Sequence, residues 1–238
     1  MRPGEPCVAI DGPAGAGKST VSQRVADRLG YVLVDSGALY RSVALAAKNA
    51  GVSWDDESGV SGLAADLVAR DAIRFEPLPG AGLKLFLEGT DVSTAIRTQE
   101  MGEGASRVSA LPAVRAALLH MQRHAARFGG VVLEGRDIGT VVLPDAEAKF
   151  YLTASVEVRA ERRYKELLSR GVATELETVR REVEERDRRD TERSVSPLAQ
   201  AADAMLVDST DMTFDEVVDF IVLAIGKVRD RLRAETRG

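Results

Sequence analysis

The octet Gly12-Pro13-Ala14-Gly15-Ala16-Gly17-Lys18-Ser19 constrains this chain more than any other stretch, because it fits G-x-x-x-x-G-K-[ST]. The apolar run Cys7-Val8-Ala9-Ile10 precedes it and reads as a buried strand. The amphipathic run from Val21 to Leu29 follows it and reads as a helix. Strand, glycine-rich loop and helix in that order make a P-loop rather than a chance match. Glycines let backbone N–H groups crowd around phosphate oxygens, and the helix N-terminus adds positive dipole. Gly12, Pro13, Ala14, Gly15, Ala16, Gly17, Lys18, Ser19 and Thr20 are therefore candidate triphosphate contacts. Lys18 is placed to reach the β- and γ-phosphates, and the Ser19 hydroxyl to take a Mg²⁺ coordination position. Thr20 is the alternative metal contact.

Composition narrows the partners. The formal net charge is -5 with 29% charged residues, which argues against a nucleic-acid partner. An anionic substrate must then be held by local arginines rather than by a global field. The single cysteine, Cys7, has no intramolecular partner and points to no oxidising compartment. No signal pattern is visible, and no apolar run approaches the ~20 residues that cross a bilayer. The expectation is a cytoplasmic protein without a membrane partner.

Five apolar runs read as parallel strands: Cys7–Ile10, Tyr31–Val34, Val131–Leu133, Ala148–Leu152 and Ala204–Val207. Helical patterns between them predict an α/β fold, one parallel sheet flanked by helices. Four of these runs are followed by a carboxylate: Asp11, Asp35, Glu134 and Asp208. Open α/β sheets bind ligands at the carboxyl ends of their strands, where the P-loop already lies. Two partly alternating runs around Pro77–Gly82 predict an antiparallel hairpin insertion over about 72–93.

Further signals follow the strands. Ser36 is expected to cap a helix carrying Tyr40 and Arg41. Glu100 to Arg127 reads as helical, with Pro112 opening a second helix, and carries Ser106 and Arg115. Gly135-Arg136-Asp137-Ile138-Gly139 presents Arg136 and Asp137 from a tight backbone beside the P-loop. Ser155 is expected to cap a helix reaching Ser169, with Arg159, Arg162 and Arg163 on one face. Thr174 to Glu177 reads as a capping box for the next helix. Thr213 to Glu216 should cap a C-terminal helix whose core stripe is Phe214, Val217, Val218, Ile221, Leu223 and Ile225.

Arg180 to Arg193 holds six arginines and six acids in fourteen residues. Such neutral patterning is what a solvated helix with internal ion pairs would show. It equally fits a lid, over about 170–195, whose Arg186, Arg189 and Arg193 share a helical face beside Asp190 and can close over phosphates.

Three kinds of P-loop protein compete. A regulatory GTPase should carry N-K-x-D after a late strand, and none is present. A nucleic-acid motor should show aromatic platforms, yet aromatics are 5%. A small-molecule kinase accounts for arginines placed after strands and in a lid.

Five stretches then become recognisable: IDGPAGAGKST (10–20), DSGALYR (35–41), GTDVSTAIRTQE (89–100), GRDIGT (135–140) and ERDRRDTER (185–193). With them the chain resembles the bacterial cytidylate kinase family of nucleoside monophosphate kinases over about Val8 to Leu223. Ser19 departs from the glycine that many members carry there. The resemblance implies one P-loop kinase unit over 1–238, a five-stranded parallel sheet, a monophosphate-binding region over 36–115 and a helical lid. It implies transfer of the γ-phosphoryl group of ATP to CMP or dCMP, with Mg²⁺, by a monomer. On its terms Lys18, Arg136, Arg186 and Arg193 are catalytic. Ser36, Arg41 and Arg136 hold the monophosphate, and Ser106, Arg115 and Asp137 read the cytosine edge. Arg186 and Asp190 lie near the ribose hydroxyls, and Arg162 lies on the ATP side.

Overall fold

The structure is a computed structural model that describes residues 5–78, 82–127 and 129–235. In chain order it runs β1 (Cys7–Asp11), α1 (Lys18–Leu29), β2 (Val32–Asp35), α2 (Ser36–Asn49), α3 (Glu57–Ala69), β3 (Ile73–Leu78), β4 (Gly82–Leu87) and β5 (Thr90–Asp91). It continues through a 3₁₀ turn (Ala95–Arg97), α4 (Gln99–Val108), α5 (Pro112–Ala126), β6 (Val131–Gly135), a π-helical turn (Ile138–Val142) and β7 (Ala148–Thr153). Then come α6 (Val156–Ser169), α7 (Leu176–Glu192), β8 (Met205–Asp208) and α8 (Phe214–Glu235). A five-stranded parallel sheet has the order β2-β6-β1-β7-β8, and a small antiparallel sheet has the order β3-β4-β5. The five expected strands are all present, each within a residue or two of its predicted bounds. The expected hairpin is there as β3 and β4, while 79–81 of its turn lie outside the described residues.

The chain forms two compact units, Met1–Tyr31 with Phe128–Gly238, and Val32–Arg127. In the first, β1 is wholly buried at Val8, Ala9 and Ile10. Side chains the size of Val8 and Ile10 stabilise by about 1.5–3 kcal/mol each when removed from water. The register sets Asp11 of β1 opposite Gly135 of β6 and opposite Tyr151 of β7. β1 and β6 therefore finish level, while β7 runs on to Thr153, and the loops that follow all start at the same edge of the sheet. In the second unit, α2, α3, α4, α5 and the small sheet enclose their own core, with Leu39, Val43, Leu67, Ile73, Met101 and Leu118 fully or almost fully buried.

Several local expectations are corrected. Ser36 does not cap α2: it is the first helical residue, and the Asp35 carboxylate accepts from the Ala38 N–H at 3.1 Å. A strand-ending carboxylate outcompetes the hydroxyl one position later because it is charged. Thr174 does not form a capping box either, since α7 starts one residue later than that box requires, with Glu175 at its N-cap and no side-chain cap bond. The box at Thr213 does form, Thr213 N–H to Glu216 at 2.8 Å and Glu216 N–H to the Thr213 hydroxyl at 3.3 Å. Ser155 caps α6 through the Val158 N–H at 3.3 Å. On α8, Val217, Val218, Ile221 and Ile225 are buried, but Phe214 is 36% and Leu223 68% exposed. Leu223 is two residues from Ile221 and faces the opposite side at 3.6 residues per turn.

Candidate active site

The P-loop leaves β1 through Gly12 at φ +148, where a Cβ atom would lie 1.9 Å from the Leu152 carbonyl oxygen. Only glycine fits so close to the backbone of β7. The loop ends at Gly17, in the left-handed conformation, which leads into α1. Ser19 and Thr20 stand exposed in the first turn of α1. Lys18 folds back under the loop and donates from Nζ to the Pro13 carbonyl at 2.6 Å.

Lys18 is buried, and burial pushes its ammonium well below the ordinary lysine range. The nearby charges of Arg136 and Arg186 push the same way, against Glu134 and Asp190. Cations outweigh anions at this point. Arg136 leaves the end of β6 and donates from Nε to Asp190 Oδ2 of α7 at 2.8 Å. Burial opposes the Arg136 charge, but Asp190, Asp187 and Glu134 outweigh it and hold the guanidinium protonated. Asp190 is 3% exposed. Burial alone would raise its pKa; Arg136, Arg186 and Arg193 together hold it below the usual carboxylate range. Arg186 Nε lies 4.0 Å from the same carboxylate oxygen.

Arg193 is not on the expected helical face. Helix α7 ends at Glu192, and Arg193 follows in extended conformation, its Nε donating to the Ser196 carbonyl at 2.6 Å. Its Nη2 lies 3.6 Å from Asp137 Oδ1. The structure thus joins two residues that the sequence placed in separate roles, one in the lid and one at the base. Arg162 donates to the hydroxyl and carbonyl of Ser209, at 3.0 and 2.8 Å. Those two bonds hold the Arg162 side chain at the end of β8.

Helix α7 rests on α6 through Leu167, Val179 and Val183, packed with Val156 and Tyr164. It also carries Asp187, which pairs with Arg159 of α6 at 2.5 Å. Arg159, 4% exposed, also donates to the Ala14 carbonyl of the P-loop at 3.0 Å. Sequence reasoning saw Arg159 only as one of three arginines on a helix face and gave it no part in the site. Its signal is the long-range pair with Asp187, which no local pattern displays. The outer face of α7 bears exposed pairs such as Arg180 with Glu177 and Glu184, as a solvated helix would.

The second unit holds the other candidates. Ser36 is buried at the start of α2. Arg41, on the next turn, pairs with Asp35 at 2.5 Å. Arg115 of α5 is 7% exposed, donates to the Ser109 carbonyl at 3.2 Å and lies over the Tyr40 ring at 5.5 Å from its centroid. Ser106 Oγ is buried with no hydrogen-bond partner among the described residues. A buried hydroxyl left so costs about 1–3 kcal/mol, which marks it as a position a ligand can satisfy.

The family model described as "Cytidylate kinase" matches residues 8–227. The chain belongs to the cytidylate kinase family. Among curated relatives, the "Cytidylate kinase" of Shewanella loihica is 48% identical over 95% of this chain and 96% of its own length. That of Leuconostoc mesenteroides subsp. mesenteroides is 47% identical over 89% and 92%. A solved structure of an uncharacterized protein from Eubacterium ventriosum superposes with a TM-score of 0.50 at 13% identity, covering 94% of this chain and 99% of its own. That last likeness is one of fold alone. Membership makes the chain a nucleoside monophosphate kinase, which uses ATP with a divalent metal. Among the described residues no helix is long and apolar enough to cross a membrane.

Proposed function

We propose that this enzyme transfers the γ-phosphoryl group of ATP to CMP or dCMP through the residues gathered around Lys18. The observation that carries this reading is the glycine-built loop from Gly12 to Gly17 that leads into α1 with Lys18 at its end, beside the charges of Arg136 and Arg186. A polyphosphate is the ligand class that such a loop and such cations take. The amides from Gly12 to Thr20 and the Lys18 ammonium hold the triphosphate. Arg136, Arg186 and Arg193 supply positive charge to the phosphoryl group in flight. Ser36 and Arg41 take the monophosphate, with Arg41 exchanging or sharing its bond to Asp35. Asp137, Arg115 and Ser106 read the base: a carboxylate accepts from the N4 amino group of cytosine and repels the O4 carbonyl of uracil. A site built on such bonds rejects the wrong base because its buried polar groups are left unpaired.

The chemistry needs no general base. The attacking oxygen of the monophosphate is already ionised at neutral pH. Its bond to the γ-phosphorus forms as the bond from that phosphorus to the β–γ bridging oxygen breaks, and ADP leaves. Catalysis is positioning plus electrostatic stabilisation. The metal is Mg²⁺. Exposed Ser19 or Thr20 offers the hard hydroxyl oxygen that this ion takes. When bound, the ion neutralises charge on the β- and γ-phosphates.

The test is ADP release with ATP and Mg²⁺ against CMP, dCMP, UMP, AMP, GMP, dTMP and shikimate. CMP and dCMP should be preferred. Preference for any other acceptor would discard the base-reading set Ser106, Arg115 and Asp137. Silence across the panel with ATP still bound would discard the transferase reading of the site.

A further inference from the structure

The turn that presents Arg136 and Asp137 is held by a residue outside it. Asp11 closes β1, is 4% exposed, and turns its carboxylate toward the π-helical turn after β6. Its Oδ1 accepts from the Ile138 N–H at 2.8 Å and its Oδ2 from the Gly139 N–H at 2.7 Å. Both oxygens are thus committed to two successive amides. The approach is close: a Cβ at position 139 would sit 3.4 Å from Asp11 Oδ2 and 3.2 Å from the Lys149 side chain. At its far end the same turn is tied by Lys149 Nζ, which donates to the Pro144 carbonyl and pairs with Asp203 at 2.8 Å. Within the turn, the Asp137 carbonyl accepts from the N–H groups of Val141 and Val142 at 2.9 and 3.1 Å.

We infer that Asp11 is a positioning residue for the acceptor nucleotide: by fixing the amides of Ile138 and Gly139, it sets where Arg136 and Asp137 point. The same residue begins the P-loop, so one side chain registers the acceptor-reading turn against the triphosphate loop. The inference rests on the proposed roles of Arg136 and Asp137. Burial, and then Asp137, push the Asp11 carboxyl up to about 6 against the two amide bonds and Lys18, so folding disfavours its ionised form while its two hydrogen bonds tie the turn.

Asp11→Asn separates these roles. The amide keeps the shape, retains one accepting oxygen and turns an N–H₂ toward the other backbone N–H. At pH 7.5 the variant should melt no lower than wild type. Its KM for CMP should rise about tenfold while its KM for ATP moves less than twofold. A lower melting temperature with both KM values unchanged would show a purely structural carboxylate and overturn the inference. An equal rise in both KM values would place its effect in the P-loop and overturn it as well. Arg136→Ala and Asp137→Ala run alongside. If neither raises the KM for CMP, the proposed function of those residues fails; if they do and Asp11→Asn does not, only this inference fails. Should Asp11→Asn not fold, hydrogen exchange on the wild type decides. The Ile138 and Gly139 amides should be slow and slow further with CMP, and exchange at the rate of an open loop would refute the clamp.

Discussion

The pair between Arg136 and Asp190 lends itself to a quantitative test. One bond of 2.8 Å joins a guanidinium whose side chain is 18% exposed to a carboxylate whose side chain is 4% exposed. Breaking a buried pair by removing one partner costs about 3–5 kcal/mol, because the other charge is left in a poor solvent. Asp187 and Glu134 still act on Arg136 when Asp190 is gone, so Asp190→Ala should fall at the low end, about 3 kcal/mol. For a chain of this size that is roughly 6–12 °C in melting temperature. The helix end should survive, because the Leu198 N–H donates at 2.7 Å to the backbone carbonyl of Asp190, not to its side chain. The assay is urea unfolding without nucleotide for wild type, Asp190→Ala, Arg136→Ala and the double variant. The double variant should be more stable than the sum of the singles predicts, by about 2 kcal/mol. Additivity within about 0.5 kcal/mol would refute the claim that these two charges stabilise each other. The pH dependence has a definite sign. The Asp190 carboxyl is held below its ordinary 3.8, so its contribution is complete above pH 3.8 and is lost as acid protonates it below that.

Four further outcomes are expected. Gly12→Ala should bind ATP at least tenfold more weakly and lose about 4 kcal/mol in urea unfolding, since its Cβ would stand 1.9 Å from the Leu152 carbonyl oxygen; near-wild-type values would mean that β7 can retreat. Arg186→Ala and Arg193→Ala should each lower kcat by about 10²–10³ with ATP affinity within about threefold, as read by single-turnover kinetics and ATP titration. Unchanged turnover in either would remove that residue from the transfer step. Asp137→Ala should reduce the preference for CMP over UMP by about tenfold or more; the ratio is the decisive readout, because losing the contact to Arg193 lowers the rate by itself. Asp11 should leave a slope in stability with pH. Its carboxyl rises from 3.8 to about 6 on folding, so the folded chain holds a proton there that the unfolded chain releases. Stability from this group therefore falls as pH rises from about 4 to 6, by about 3 kcal/mol in all. Asp11→Asn should remove that part of the slope in urea titrations at pH 4.5 and 7.5.

What was legible in the sequence is what depends on near neighbours. Apolar runs of three to five residues gave the strands of the sheet because β1, β6 and β7 are buried on both faces. The P-loop was legible because its residue types are set by backbone geometry, as Gly12 shows. Pro112 marked the start of α5 because a missing N–H costs nothing at a helix N-terminus. Helix α3 was not singled out; its Gly59, Ser61 and Gly62 dilute the apolar stripe of Val60, Ala64 and Leu67. Capping was read correctly at Thr213 and Ser155 and incorrectly at Ser36, where Asp35 one position earlier takes the cap, and at Thr174, where the helix starts a residue later than the box requires. The position of a cap depends on where the preceding strand or loop ends, which is a tertiary fact. The same limit hid Arg159. Its partners Ala14 and Asp187 are 145 and 28 residues away.

The balanced charge of the 180–193 segment is explained by where its inner and outer faces are anchored. Exposed pairs on the outer face of α7, such as Arg180 with Glu177, add little to stability, because solvent screens them. On its inner side, Asp187 and Asp190 stand three residues apart and meet Arg159 and Arg136, one touching the P-loop and the other leaving the end of β6. Unpaired, those arginines would stand as uncompensated charges in a poor solvent; paired, they are held and oriented. Phosphate oxygens can then replace a carboxylate as partner at little net electrostatic cost, since one anion is exchanged for another around a cation that never has to be desolvated again. An acidic residue near a phosphate site looks contradictory in the sequence. In the structure the acidic residues pair with the arginines and orient them.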